Sequence, residues 1–162
     1  MNKIKSIFTA VLSALAGLLG ILAIPVFILV ICNIIDYVTG LVASPYRGQR
    51  IDSYKGFRGI AKKICMWLLV IVGAMVDQLI LYAGNTIGIT LPFTYLIACV
   101  VAIWLICNEM ISILENAADI GAPIPPFLMP LVKNIKKQVE DKATSINNES
   151  ASEPADSGRK IE

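Results

Sequence analysis

Long apolar segments separated by short charged stretches make up most of the chain. Residues 6–35 carry no charge at all. A bilayer core of about 30 Å is crossed by roughly 20 helical residues, so segments of this kind predict transmembrane helices. The first apolar segment, residues 4–44, would be about 60 Å long as one straight helix. We therefore divide it near Gly20 to Pro25.

This division predicts an N-terminal helix at residues 3–19 and spans at residues 21–43, 61–83 and 92–114. The N-terminal helix carries small residues at four-residue spacing, which let another helix approach closely. It either lies in the membrane interface or inserts. The predicted fold is therefore an all-α integral membrane protein with about three transmembrane helices plus an N-terminal amphipathic or inserted helix, and four spans are possible.

The composition agrees with a membrane protein and argues against an enzyme. Hydrophobic residues make up 56% of the chain and charged residues 16%, which is more apolar than a typical soluble domain. The four cysteines lie in apolar segments without a C-x-x-C pair, so we predict neither disulfides nor a metal site. The chain has no histidine, the commonest general base and metal ligand. No cofactor is expected.

Basic residues between the first and second predicted spans determine the expected orientation. Because cytoplasmic loops are enriched in lysine and arginine, this basic loop, residues 45–63, should be cytoplasmic, and so should the C-terminus. Three spans then place the N-terminus outside with Lys3 and Lys5, whereas four spans would keep them inside, and both topologies remain open. The basic residues of the loop are Arg47, Arg50, Lys55, Arg58, Lys62 and Lys63.

The chain after the third span divides into two parts. Residues 120–142 contain a proline-rich stop followed by an amphipathic pattern, with Leu128, Leu131, Ile135 and Val139 on one face and lysines on the other. This pattern predicts a cytoplasmic helix that lies on the membrane surface or is simply solvated. Residues 143–162 are polar and predict a disordered tail. The remaining divisions are residues 1–20, the N-terminal helix, and residues 21–119, the transmembrane domain.

Several polar residues interrupt the apolar spans, and an ionisable group at membrane depth is a candidate functional residue. For Asp36 and Glu109 we expect a role that faces other helices or water. Glu115 and Asp119 lie at the predicted boundary, where they can reach water or pair with the basic loop. The candidate residues for helix association are Asn33, Asp36, Thr39, Gly40, Asp77, Asn108, Glu109, Ser112, Glu115 and Asn116.

Three stretches of the sequence together resemble one protein family. They are "IDYVTG" at the end of the first span, "IDSYKGFRGIAKK" in the basic loop and "NEMISILENAADIGAPIPP" at the end of the third span. The arrangement is similar to the small phage holins of the toxin-secretion and phage-lysis type, over about residues 20 to 135. The first apolar segment is long for that family. Matching residues are Ser53, Gly56, Gly59, Lys62, Lys63, Asn108, Glu109, Ser112, Ile113, Glu115, Asn116, Gly121, Pro123 and Pro125.

The resemblance implies a function without catalysis. Such a protein accumulates as a homo-oligomer in the bacterial cytoplasmic membrane and opens lesions that release a peptidoglycan hydrolase or a toxin. Its partners would be lipid, other copies of itself and the released protein, with no nucleic acid. Two other hypotheses are a small ion or multidrug transporter, in which Asp36 or Glu109 binds proton and substrate, and an accessory membrane subunit.

Overall fold

The protein is built from α-helices. The computed structural model describes residues 2–49, 53–92 and 94–152, and no β-strand occurs among them. This confirms the predicted all-α fold. A short 3₁₀ turn, Gly20–Leu22, joins the first two helices. The five helices are α1, Asn2–Leu19; α2, Ala23–Tyr46; α3, Ser53–Thr86; α4, Leu96–Ile120; and α5, Leu128–Ser152.

Three stretches are long and apolar enough to cross a membrane, as predicted. They are Gly20–Tyr46, Gly56–Thr86 and Leu96–Ile120, with 27, 31 and 25 residues. Each exceeds the roughly 20 residues that the hydrocarbon core requires, so the helices can continue beyond it. The helix α1 adds a further apolar segment and allows a fourth crossing.

The predicted break in the first apolar segment occurs at Gly20. Its φ of +52° lies in the left-handed region, which glycine adopts without a steric penalty. Pro25 lies in the first turn of α2, where a backbone N–H has no acceptor within the helix, so its ring is tolerated there. Among the described residues, α1 contacts only this turn and α2, and it therefore stands apart from the other helices.

The helix α4 is the centre of the bundle. Both α2 and α3 pack along it, whereas they make few contacts with each other. Ala98 and Ala102 of α4 are completely buried, and their small side chains allow close approach. The approach is tightest at Gly73 of α3, because a Cβ added there would lie 3.0 Å from the Cα of Ala98.

The predicted basic loop is largely helical. Residues 53–63 form the first turns of α3, so only the short connection after α2 remains as a loop. Packing favours the helix despite its two glycines, because the ring of Tyr37 from α2 lies against Gly56 and Gly59. We call the end of the bundle formed by the last turns of α2 and α4 and the first turns of α3 the basic end.

After the third span the chain reverses direction. The helix α4 ends with Gly121 in the left-handed conformation, at φ +89°. After the prolines, α5 packs back along α4 and buries Val132. It extends to Ser152, beyond residue 143, where the predicted tail begins. Residues 153–162 lie outside the described part.

Candidate functional site: a polar cluster between the spans

The site contains three charged residues from different helices, and each of them lies next to an uncharged stretch of the sequence. Asp36 follows the uncharged residues 6–35, and Glu109 follows the uncharged residues 78–108. Lys63 precedes another uncharged stretch, residues 64–76. In the fold these three side chains meet, so the uncharged parts of α2, α3 and α4 end at the same level of the bundle.

Lys63 joins the two carboxylates. Its Nζ donates to Asp36 Oδ2 at 2.5 Å and to Glu109 Oε2. The exposed fractions of the Lys63, Asp36 and Glu109 side chains are 13%, 12% and 0%, so this is a buried ionic cluster. A second ammonium group, Nζ of Lys62, lies 3.6 Å from Glu109 Oε1 but is 61% exposed. Two cations therefore oppose two anions, as burial of charge requires.

Asn116 of α4 extends the cluster toward the basic end. Its Nδ2 donates to Asp36 Oδ1 at 3.3 Å and to Thr39 Oγ1 at 3.1 Å. Its Oδ1 accepts a hydrogen bond of 2.6 Å from Nη2 of Arg47, whose Nε also contacts Asp119 at 2.5 Å. A continuous polar path thus connects the buried aspartate with the partly exposed Arg47–Asp119 pair.

Small residues make room for this path. A groove of 330 Å³ runs between α2 and α3, over Ser112 and Asn116 of α4. Gly40 lies on its wall, where a Cβ would be 3.6 Å from Nδ2 of Asn116. Gly56 and Gly59 form the opposite wall against Tyr37. The groove brings the predicted Gly40, Ser112 and Asn116 together at the basic end.

Asp77 lies apart from the cluster and joins α3 to the start of α4. Its Oδ1 accepts from the backbone N–H of Ile97 at 2.9 Å, and its Oδ2 accepts from Ala98 at 2.8 Å. These donors have no acceptor within α4, whose preceding residue Tyr95 supplies no side-chain cap. The buried carboxylate therefore caps a neighbouring helix and interacts favourably with its dipole.

The remaining predicted residues do not join the cluster. Asn33 is buried at 7% exposure, and neither of its amide atoms has a hydrogen-bond partner among the described residues. Asn108 is half-buried, while Glu115 and Arg58 are exposed. Lys55 lies in the first turn of α3, and Arg50 lies outside the described residues.

One further polar contact, between α4 and α5, was not predicted from the sequence. Trp104 of α4 donates from Nε1 to Glu140 Oε1 of α5 at 2.7 Å. Nζ of Lys136 lies over the Trp104 ring, 5.0 Å from its centroid. A buried indole usually requires an acceptor for its N–H, so a tryptophan within an apolar stretch was a signal for such a partner.

The arrangement is suited to holding helices together. Within residues 2–49, 53–92 and 94–152, no group of three or more His, Cys, Asp or Glu side chains could hold a metal ion. Both carboxylates of the cluster are engaged by Lys63, and every member of the cluster connects one helix to another. The cluster can thus fix the three spans relative to one another at one level.

Comparison with known proteins identifies the family. The bacteriophage holin family matches residues 13–137. The chain belongs to this family. The matched region contains the whole polar cluster, Asp77 and the first part of α5, so all the contacts described above except Trp104–Glu140 lie between residues of the holin region.

Relatives of this holin-family chain occur in bacteria and in a phage. An uncharacterised protein of Listeria innocua is 39% identical over 77% of this chain and 79% of its own length. An uncharacterised protein of Clostridium perfringens is 30% identical over 85% of this chain and 96% of its own length. A probable holin of Bacillus phage phi105 is 27% identical over 71% of this chain and 76% of its own length. No solved structure matches the chain.

Family membership and the three long apolar helices establish a multi-pass membrane protein. The exposed surfaces of the helices are consistent with contact to lipid. On α2, for example, Ile24, Phe27 and Ile34 are more than half exposed. In this holin-family chain the polar groups of the cluster face inward, and many large apolar side chains face outward.

Proposed function

We propose that the protein oligomerises in the bacterial cytoplasmic membrane and opens lesions that release a peptidoglycan hydrolase or a toxin. The observation that carries this proposal is the buried cluster of Asp36, Lys63 and Glu109, one residue from each span. Within one copy these charges satisfy one another, so the bundle can accumulate in lipid without opening a path. Membership of the holin family supports the same role.

Opening requires the polar groups to exchange partners. Helices associate in a membrane through close packing and interhelical hydrogen bonds, because lipid removes the hydrophobic driving force between them. At high protein density, copies that pack together can turn the groove beside Asn116 toward water instead of lipid. The polar cluster then has two arrangements. In the closed one its charges pair within a single copy, and in the hydrated one its polar groups face water.

The proposed orientation places the basic end in the cytoplasm. Arg47, Arg58, Lys62 and Lys63 all lie at this end, and basic residues are retained on the cytoplasmic side of membranes. The start of α5 then also lies on the cytoplasmic side. The side of the membrane on which the N-terminus lies depends on whether α1 crosses the bilayer. If a cysteine in place of Asn2 reacts with an impermeant thiol reagent in intact cells, the N-terminus lies outside.

We further propose that the protein is not an enzyme. The buried carboxylates Asp36 and Glu109 are held by Lys63, and Asp77 is held by two backbone N–H groups. A general acid or base must reach the proton that it transfers. These carboxylates are instead engaged in contacts between helices.

Expression in a bacterium tests this function. Produced alone, the protein should collapse the membrane potential and stop growth without dissolving the wall. Produced with a peptidoglycan hydrolase that lacks a signal peptide, it should cause lysis at a time that shortens as expression rises, because assembly depends on concentration. Membrane potential is followed with a voltage-sensitive dye and lysis by culture turbidity, with the hydrolase alone as control.

Other outcomes would favour the other functions. A transporter would leave the membrane potential intact and would change only the flux of small solutes. An accessory subunit would change neither quantity without its partner. Persistent potential at high expression, with the hydrolase retained in the cell, would contradict the proposed function.

A further inference from the structure

The position of α5 is unusual for a charged helix. It lies along α4, a helix apolar enough to cross a membrane, and not beyond its end. Its Glu140 contacts Trp104, which precedes Glu109 by five residues and therefore lies about 7.5 Å further into the uncharged part of the bundle. The helix α5 thus lies beside the part of the bundle that the uncharged stretches form.

Further along α5, the contacts lie deeper still. Val139, Ala143 and Thr144 line a cavity of 510 Å³, whose other walls include Val72 from the middle of α3 and Val100 from the first turns of α4. This side of α5 is suited to an apolar neighbour. Together with the buried Val132, these residues form the edge by which α5 is attached to α4.

Another side of α5, next to the attached one, is charged and uncovered. Lys133, Lys137 and Asp141 are spaced four residues apart, so they share one face, and all three are exposed. Charged side chains within a membrane face a protein interior or a water-filled cavity because contact with lipid is costly. In the position that the structure shows, this face therefore requires water beside the spans.

We propose that α5 lines the water-filled path of the assembled protein, an inference that rests on the lesion-forming function proposed above. Its attached edge lies on α4, across the cavity from α3, and its charged face borders the path. One copy in a bilayer offers no such water, whereas several copies around a common opening supply it beside the charged face of α5. The helix is then part of the lesion wall and not only a cytoplasmic extension.

The charge of α5 gives this proposal a measurable consequence. Between residues 128 and 145, the helix carries four lysines, Lys133, Lys136, Lys137 and Lys142, against the two carboxylates Glu140 and Asp141. Rings of charged side chains select ions of opposite sign as they pass. A path bordered by α5 should therefore prefer anions while it is still narrow.

The test is the ion selectivity of the full-length protein in planar lipid bilayers. The reversal potential of the first small conductance steps is measured in a potassium chloride gradient. Wild-type protein should show an anion preference, Lys137→Glu should move the reversal potential toward cation preference, and Asp141→Lys should move it the other way. Lys5→Glu makes the same charge change as Lys137→Glu on the exposed surface of α1 and should leave the value unchanged.

A second measurement covers the case in which Lys137→Glu disturbs folding. In protein with Lys137→Cys and the native cysteines replaced by serine, an anionic thiol reagent added to open steps should reduce the anion preference. Steps with unchanged selectivity in both experiments would overturn the role of α5 while leaving the lesion function intact. Wild-type protein that gives no conductance would overturn the proposed function, and this inference with it.

Discussion

Replacing Lys63 by methionine should destabilise the protein by about 3–5 kcal/mol, the usual cost of removing one partner from a buried ion pair. Methionine fills a similar volume, but Asp36 and Glu109 would then be left as two buried anions without the ammonium group that joins them. The variant should unfold at a lower denaturant concentration in detergent. The change is measured as the loss of helical circular dichroism.

Two further variants separate charge pairing from packing. Lys62→Met removes a cation that is 61% exposed, so its effect should be about 0–1 kcal/mol. Adding Asp36→Asn and Glu109→Gln to Lys63→Met removes all three charges together and should recover most of the stability. An equal loss in the Lys62 and Lys63 variants, or no recovery in the triple variant, would show that the cluster does not hold the spans as described.

Replacing Asp77 by alanine should destabilise the contact between α3 and α4 by about 3–6 kcal/mol, since each of its two hydrogen bonds to a charged group contributes about 1.5–3 kcal/mol. The backbone N–H groups of Ile97 and Ala98 would lose their acceptor within an apolar region. Denaturation in detergent gives the loss of stability. Amide hydrogen exchange at residues 97 and 98 should become faster in the same variant.

The matched control for this prediction is the next residue, Gln78, which is exposed. Gln78→Ala changes side-chain length and polarity at the same depth without affecting the start of α4, and its stability should stay near that of the wild type. If hydrogen exchange at residues 97 and 98 stays slow in Asp77→Ala, the aspartate is not the cap of this helix.

The spans could be predicted because their signal is local. An uncharged stretch such as residues 6–35 is visible without any knowledge of its neighbours, and the bilayer thickness sets the length of helix that it must contain. Gly20 marked the break in the same way, through its conformational freedom. The sequence predicts the ends of the helices less exactly, because the helices continue into water beyond the apolar segments.

The pairing of polar residues depends on the packing of helices that are distant in the sequence. Helical spacing indicated that Asp36 and Thr39 share a face, but not that this face meets Asn116 and Lys63. The sequence analysis counts Lys63 with the basic loop because it belongs to a run of basic residues, although Lys63 also lies within the predicted span at residues 61–83. Its partners became visible only once that run was seen to be the beginning of α3.

Asp77 shows the same limit. Its position within an apolar span indicated a functional or structural role, but the donors that it satisfies lie twenty residues away in the sequence, at the start of α4. The sequence predicts that this span begins at residue 92, so it does not show that the helix starts at Leu96 without a capping side chain. A helix start without a cap is a reason to look for an acceptor on a neighbouring helix.

The most direct test of the proposed function uses purified protein alone in sealed lipid vesicles. The vesicles contain a small dye and a folded peptidoglycan hydrolase, and release of both is followed as the ratio of protein to lipid increases. Above a threshold ratio, the enzyme should leave as well as the dye, because the proposed lesion becomes wide enough for a folded protein. Dye release with the enzyme retained at every ratio, or retention of both, would contradict the account.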